Sequence, residues 1–158
     1  MPPTDHPSVD NPVPGEIVCS RFFARPRDEV FAAFSDPAEL ARWWGPAGFT
    51  NRFHQFDFRP NGAWRFTMRG ADGTTYEMNQ QFTEIVRPER IILRHFQQTH
   101  DFVLAIAFAA RDGGTAVTWA MRFDDPAEGE RLRGFLARAN AENLDRLAAH
   151  LALTTQKP

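Results

Sequence analysis

The middle of the chain is a series of short alternating segments that are separated by turn sequences. Within residues 63–69, large apolar side chains alternate with arginine and threonine, the period expected of a strand with one buried face. Pro-Asn-Gly at 60–62 and Ala-Asp-Gly at 71–73 flank this segment and are typical of hairpin turns. Connections this short join antiparallel strands, whereas parallel strands need long crossovers. The pattern therefore predicts an antiparallel meander.

One long amphipathic segment follows the meander and completes an α+β fold. We predict a curved antiparallel sheet of about seven strands wrapped around a long C-terminal helix, with two short helices after the first strand. The predicted strands begin at Glu16 and then cover about 53–58, 63–69, 75–86, 91–96, 102–108 and 117–123. The predicted helices cover about 27–34, a short segment capped by Ser35 or Asp36, and about 126–151. We expect residues 1–15 to form a flexible proline-rich leader, 16–152 one domain, and 153–158 a tail.

The segment 43–50, Trp-Trp-Gly-Pro-Ala-Gly-Phe-Thr, is not a simple amphipathic element. Neighbouring side chains on a helix point about 100° apart, so both indoles are buried only if other elements surround that turn. Gly45-Pro46 ends any helix here, and Gly48 permits backbone angles that other residues avoid. Two interpretations remain open: a rigid lid that closes a cavity, or a plug at the edge of the core.

Composition excludes several classes of function. The net charge is −2 and charges of both signs are spread along the chain, which argues against nucleic-acid binding. No long apolar run or signal sequence is present, so we expect no membrane partner and a cytoplasmic location. The single Cys19 excludes an internal disulfide and a cysteine cluster, and the histidines lack metal-ligand spacing. We therefore predict no metal and no cofactor.

The order of elements and several segments resemble the helix-grip superfamily, which includes START domains, the birch pollen allergen and polyketide cyclases. Within it, the chain is similar to the family called activator of the ninety-kilodalton heat-shock-protein ATPase homologue. The resemblance extends over about 16–152 and is carried by residues 43–50, 59–66, 68–70, 84–91 and 144–147. It implies a small domain with a hydrophobic cavity.

Two features limit what this resemblance implies about function. The cochaperone that names the family carries an additional N-terminal domain where this chain has only its leader, so we do not expect a chaperone partner. Family members often have Gly-Trp just before the segment at 144–147, and the corresponding residues here are Ala139-Asn140. A short amide in place of an indole would leave space in the cavity and add a polar group.

A gap between a curved sheet and a gripping helix is predicted to be lined by large apolar side chains. Few polar groups are expected in such a site. The apolar candidates come from the lid segment, the strands and the long helix: Trp44, Phe49, Trp64, Phe66, Met68, Tyr76, Met78, Phe82 and Phe135. The alternative is that they form an ordinary dry core.

Four polar residues complete the predicted site. Asn140 and Asn143 fall within the apolar arc of the long helix, where each amide needs a partner from backbone, water or ligand. They either anchor a ligand, as could Tyr76 and Gln80, or they tie the helix to a strand carbonyl or sit at the edge of the helix. His95 is either a general base or a hydrogen-bonded histidine at a strand end.

We expect the domain to bind or sequester a small hydrophobic molecule, aromatic or lipid-like, in its cavity. One alternative is a cyclase-, dehydratase- or hydrolase-like enzyme that uses His95 or Tyr76 as an acid–base group. The other is a protein-interaction module, either a chaperone cofactor or an obligate homodimer. No nucleophile motif and no acid–base dyad is recognisable, which favours binding and gives no catalytic assignment.

Overall fold

A computed structural model describes residues 15–96 and 100–154 of the 158-residue chain. Seven strands and three helices form the described part of the fold. The first half contains β1 (Glu16–Phe23), α1 (Arg27–Ser35), α2 (Pro37–Trp43), β2 (Thr50–Phe56) and β3 (Ala63–Arg69). The second half contains β4 (Thr75–Val86), β5 (Arg90–Phe96), β6 (Phe102–Arg111), β7 (Gly114–Phe123) and α3 (Pro126–Thr154). This is the predicted α+β helix-grip architecture.

The strands form one antiparallel sheet in the order β1-β7-β6-β5-β4-β3-β2. Strands β2 to β7 follow one another as a meander, and β1 closes the sheet beside β7. Strand β2 begins at Thr50, earlier than the predicted Phe53, because its pairing with β3 extends as far as the Thr50–Arg69 pair. The chain therefore enters the sheet directly after the Trp-Trp segment.

The two short helices lie between β1 and β2 and bury their apolar side chains against the sheet. Asp36 caps α2, since its side-chain oxygen accepts a hydrogen bond from the Ala38 backbone N–H at 2.9 Å. Helix α2 ends at Trp43, and Trp44 leaves it with an extended backbone at φ −65° and ψ 138°. Trp43 thus belongs to the helix and Trp44 to the turn that follows it. They are both buried because the chain changes direction between them.

Helix α3 crosses the concave face of the sheet and packs mainly against β1 and β7. Leu144, Leu147 and Leu151 are buried on its inner side, together with Asn140 and Asn143. The helix continues to Thr154, three residues beyond the predicted end at Leu151. The predicted leader, apart from Gly15, and the end of the tail after Thr154 lie outside the described residues.

A cluster of aromatic rings fills the end of the core under β2 and β3. Trp64 stacks on Phe66 with ring centroids 4.7 Å apart and on Phe82 at 5.9 Å. Phe53 and Phe56 of β2 cover the other sides of Trp64 at 5.4 and 5.6 Å. Much of the aromatic content of the chain is therefore used for packing.

Candidate functional site

A cavity of about 310 Å³ lies between the sheet, the inner side of α3 and the turn after α2. Its wall is mostly apolar and contains Trp44, Gly45, Pro46, Phe49, Met68, Tyr76, Met78, Gln80, Phe102, Leu104, Trp119, Met121, Phe135, Leu136, Ala139, Asn140 and Asn143. On the helix side, Phe135, Leu136 and the smaller side chains of Ala139, Asn140 and Asn143 face the cavity from α3. The floor of the cavity is the sheet and its roof is the helix.

Two exposed aromatic side chains stand at the mouth of the cavity. Tyr76 of β4 is 43% exposed and Phe135 of α3 is 61% exposed, although both contribute to the cavity wall. The Tyr76 ring lies 6.1 Å from that of Phe49, measured between centroids. The mouth of the cavity is therefore bordered by exposed aromatic surface.

Residues 44–49 form a lid over one end of the cavity. The Trp44 indole packs between Trp64 and Trp119, with centroid distances of 4.8 and 5.1 Å. Gly45 has a φ of +99°, and a Cβ atom there would lie 2.6 Å from the Met68 Cε atom. Only glycine fits this turn without strain, because the backbone is left-handed and lies directly against a neighbouring side chain. Trp44 therefore closes the core on one side and borders the cavity on the other.

Helix α3 holds the lid through hydrogen bonds to its backbone. Arg146 Nη1 donates to the carbonyl oxygens of Trp44, Gly45 and Pro46 at 3.0–3.1 Å, and Nη2 donates to Arg42 O at 3.0 Å. Burial lowers the pKa of Arg146 below its ordinary value, and the side chain stays cationic at neutral pH.

Two further α3 side chains contact the lid and the residue before it. Glu142 Oε1 accepts a hydrogen bond from the Ala47 N–H at 3.2 Å, and Asn143 Nδ2 donates to Trp43 O at 3.3 Å. On the sheet side, Asn51 Nδ2 donates to Trp44 O at 2.8 Å. The lid is therefore held from both the helix and the sheet. Asn143 ties α3 to a backbone carbonyl, but this carbonyl belongs to the last residue of α2 and not, as predicted, to a strand.

Buried carboxamides supply most of the polarity of the cavity wall. Gln80 is 5% exposed, and its Oε1 lies 3.0 Å from His95 Nδ1. Gln80 Nε2 has no hydrogen-bond partner among the described residues. Asn140 is 7% exposed, and its Nδ2 lies 3.3 Å from the Met121 sulfur, which is a weak acceptor. These amides lie on opposite walls, one on the sheet and one on the helix.

Nine of the thirteen predicted site residues line this cavity, and four do not. The lining residues are Trp44, Phe49, Met68, Tyr76, Met78, Gln80, Phe135, Asn140 and Asn143. Trp64, Phe66 and Phe82 lie in the aromatic cluster described above. His95 is 1% exposed, lies behind Gln80 and stacks on Phe102 at 4.6 Å. It is thus a hydrogen-bonded histidine near the end of β5.

Sequence reasoning missed the contribution of β6 and β7 to the cavity wall. Phe102, Leu104, Trp119 and Met121 occupy inward-facing positions of these two strands. Their alternation was visible in the sequence, but alternation alone does not distinguish a side chain that lines a cavity from one that packs in the core.

A second depression of about 540 Å³ lies between α2 and α3 and is bordered by Asp36, Glu39, Arg42, Arg146 and His150. Four of these five side chains bond to one another or to backbone groups. His150 Nε2 lies 2.9 Å from Glu39 Oε1, Asp36 caps α2, and Arg146 holds the lid. Although this depression is larger, most of its polar side chains have structural interactions, so the apolar cavity is the candidate site.

The next two observations concern metal ligands and membrane-crossing helices within the described residues, 15–96 and 100–154. No group of three or more histidine, cysteine, aspartate or glutamate side chains there is placed to hold a metal ion. None of the helices described is long and apolar enough to cross a lipid bilayer.

Residues 24–152 match the family described as Activator of Hsp90 ATPase homolog 1-like protein. The chain belongs to this family. The match begins after β1 and includes the lid, the cavity wall and nearly all of α3. No curated protein matches the chain.

Solved structures of bacterial proteins share the fold. A protein from Nitrosomonas europaea is 17% identical, with a TM-score of 0.79 over 88% of this chain and 95% of that one. One from Arthrobacter aurescens is 20% identical, with a TM-score of 0.81 over 88% and 87%. The AHSA1 protein from Silicibacter pomeroyi is 23% identical, with a TM-score of 0.72 over 88% and 99%. At these identities the likeness shows the helix-grip fold, which is suited in general to holding a ligand between sheet and helix.

Proposed function

We propose that the domain binds a small hydrophobic molecule in the cavity between α3 and the sheet. The observation that carries this proposal is a cavity of about 310 Å³ with a predominantly apolar wall. Small-molecule sites have volumes of about 300–1,000 Å³ and are lined by apolar and aromatic side chains with few polar groups. The cavity has this character and is at the lower end of the size range.

The size of the cavity indicates a compact ligand. An apolar cavity of about 150 Å³ accommodates benzene in another protein, so twice that volume suits a molecule with about two fused rings or a short branched chain. Burial of its apolar surface would supply about 25 cal/mol per Å², before the cost of immobilising the ligand. A long lipid chain would extend through the mouth between Tyr76 and Phe135.

Several observations favour binding over catalysis. Tyr76 is the one titratable side chain among the described residues that line the cavity, and it stands at the mouth. His95, which a cyclase-like reaction would need within reach of the substrate, lies behind Gln80. An acid–base mechanism requires a group within hydrogen-bond distance of the reacting atoms.

A cavity-filling substitution tests the proposal. Asn140→Trp places an indole in the cavity, whereas Ala141→Trp adds the same group at an exposed position of the same helix. In equilibrium dialysis, we expect naphthalene to bind the wild-type protein and the Ala141→Trp variant with similar affinity, and to lose at least tenfold in affinity for Asn140→Trp. Equal affinity for all three proteins would show that the cavity is not the binding site.

Native mass spectrometry of the purified protein provides an independent readout. A small hydrophobic adduct present at one equivalent in the wild type and absent in Asn140→Trp is the expected result. An adduct that Asn140→Trp retains would contradict the proposal, since it would be bound elsewhere.

A further inference from the structure

We infer that the cavity selects an uncharged ligand with a hydrogen-bond acceptor oxygen, such as a ketone or aldehyde, on its hydrophobic body. This inference rests on the proposed function and adds the chemical class of the ligand. It is carried by three features of the wall: an unpartnered amide nitrogen, a second donor and the absence of charge among the described lining residues.

The first feature is the Gln80 carboxamide. Its Oε1 lies 3.0 Å from His95 Nδ1. When His95 carries its proton on Nδ1, the imidazole donates to this oxygen, and the two N–H groups of the Gln80 amide are left for other partners. Gln80 Nε2 is buried and has no partner among the described residues. A buried donor without an acceptor is costly, and an acceptor on a bound ligand would relieve that cost.

The second feature is the Trp119 indole. This side chain is 3% exposed, lines the cavity from β7, and its Nε1–H also lacks a partner among the described residues. An indole nitrogen can only donate, so it cannot be satisfied by a ligand hydroxyl proton or an ammonium group. Both unpartnered nitrogens belong to residues that line the cavity, although the atoms themselves have almost no exposed surface, and each requires an acceptor.

The third feature distinguishes a neutral acceptor from a carboxylate. None of the described residues that line the cavity carries a formal charge. The nearby cation, Arg146, directs both terminal nitrogens at backbone carbonyls of the lid region. An anionic ligand would lose its hydration without a counter-charge, whereas a carbonyl oxygen needs only the amide and indole donors.

Three probes of nearly the same shape separate these cases. 2-Acetylnaphthalene has a neutral acceptor, 2-isopropenylnaphthalene replaces its C=O by C=CH2, and 2-naphthoate has an anionic acceptor. The dissociation constants are measured for the wild type, Gln80→Met and Trp119→Phe. Gln81→Met makes the same change one residue along β4, on the opposite face of the sheet, and serves as the control.

In the ratio of the affinities of the two neutral probes, the contribution of the apolar part that they share cancels. We expect this ratio to shift by about tenfold against 2-acetylnaphthalene in Gln80→Met, by a similar or smaller factor in Trp119→Phe, and not in Gln81→Met. We also expect 2-naphthoate to bind most weakly to the wild type. Far-UV circular dichroism checks that each variant is folded, and Trp119→Phe keeps the inference testable if Gln80→Met unfolds.

The possible failures are distinguishable. If both neutral probes bind but their ratio is the same in every variant, the cavity binds ligands and the inference about the acceptor is wrong. If 2-naphthoate binds the wild type most tightly, the inference of an uncharged ligand is wrong. If no probe binds the wild type, both the inference and the proposed function are overturned.

Discussion

Replacement of Arg146 by methionine should loosen the lid and lower the stability of the whole domain. The side chain donates to four backbone carbonyls, of Arg42, Trp44, Gly45 and Pro46, at 3.0–3.1 Å. Methionine keeps much of the apolar stem but provides no donor. The substitution therefore removes the hydrogen bonds with little change in packing.

The size of the effect follows from the number of hydrogens available. Nη1 has two hydrogens for three carbonyls and Nη2 supplies one bond, so the side chain makes the equivalent of about three full hydrogen bonds. Each contributes about 1 kcal/mol net. Asn51 also donates to the Trp44 carbonyl, so that oxygen keeps one partner. We therefore expect a loss of about 2–3 kcal/mol in the free energy of unfolding. For a domain of this size, that corresponds to a Tm decrease of about 4–12 °C.

Urea unfolding and differential scanning calorimetry measure this effect, with Arg131→Met as the control. Arg131 lies on the same helix, its side chain is 62% exposed, and it pairs with Glu128 three residues earlier, so its loss should cost less than about 0.5 kcal/mol. Arg146→Lys should fall between the wild type and Arg146→Met, because an ammonium group cannot reproduce the fork of a guanidinium. Equal stabilities for Arg146→Met and Arg131→Met would refute the reasoning.

Two pH-dependent predictions concern groups outside the cavity. Burial raises the pKa of the Cys19 thiol to about 11, against a smaller opposing effect of Arg21, so at pH 8 only about one thiol in a thousand is a thiolate. Alkylation of Cys19 should therefore be slow in the folded protein and fast in urea, and rapid alkylation of the folded protein would contradict this. The contribution of Cys19 to stability should be present below pH 9 and should be lost as the pH rises towards 11. The Arg133 side chain, and then the Gly15 N–H, lower the pKa of Glu130 to about 2. The stabilising effect of the ionised Glu130 should thus be present above pH 4.5 and lost as the pH falls towards 2. An NMR titration of the Glu130 carboxyl group should show a higher pKa in Arg133→Met than in the wild type. An unchanged pKa in this variant would show that Arg133 is not the main cause.

The sheet and the long helix were predictable because their signals are local. Alternation and hairpin turns identify β3 to β7 from a few residues each, and the 3.6-residue period identifies α3. The start of β2 was less predictable. Residues 50–52 become a strand because β3 extends opposite them, which is a tertiary effect. Likewise, the sequence contained two adjacent indoles but not the change in chain direction at Trp44 that buries both.

The cavity was only partly predictable, for a different reason. Alternation identifies which side chains point inward, and this was sufficient to place Met68, Met78 and Gln80 in the wall. Whether an inward side chain borders a cavity depends on what covers it. Trp64 and Phe82 point inward as well, but the rings of β2 and the β2–β3 turn pack over them. Curvature of the sheet sets this covering, and no local pattern encodes it.

The segments that carry the family resemblance form the interactions that hold the lid. Arg146 belongs to the segment 144–147 and donates to the backbone of the segment 43–50, so two of these segments meet in one structural interaction. They also supply apolar parts of the cavity wall, such as Phe49 and Met68. Three polar residues of the cavity wall with unmet or weakly met hydrogen-bonding capacity, Gln80, Trp119 and Asn140, lie outside those segments. The segments that carry the resemblance therefore hold the lid in place, whereas the polar groups proposed to select the ligand lie elsewhere in the chain.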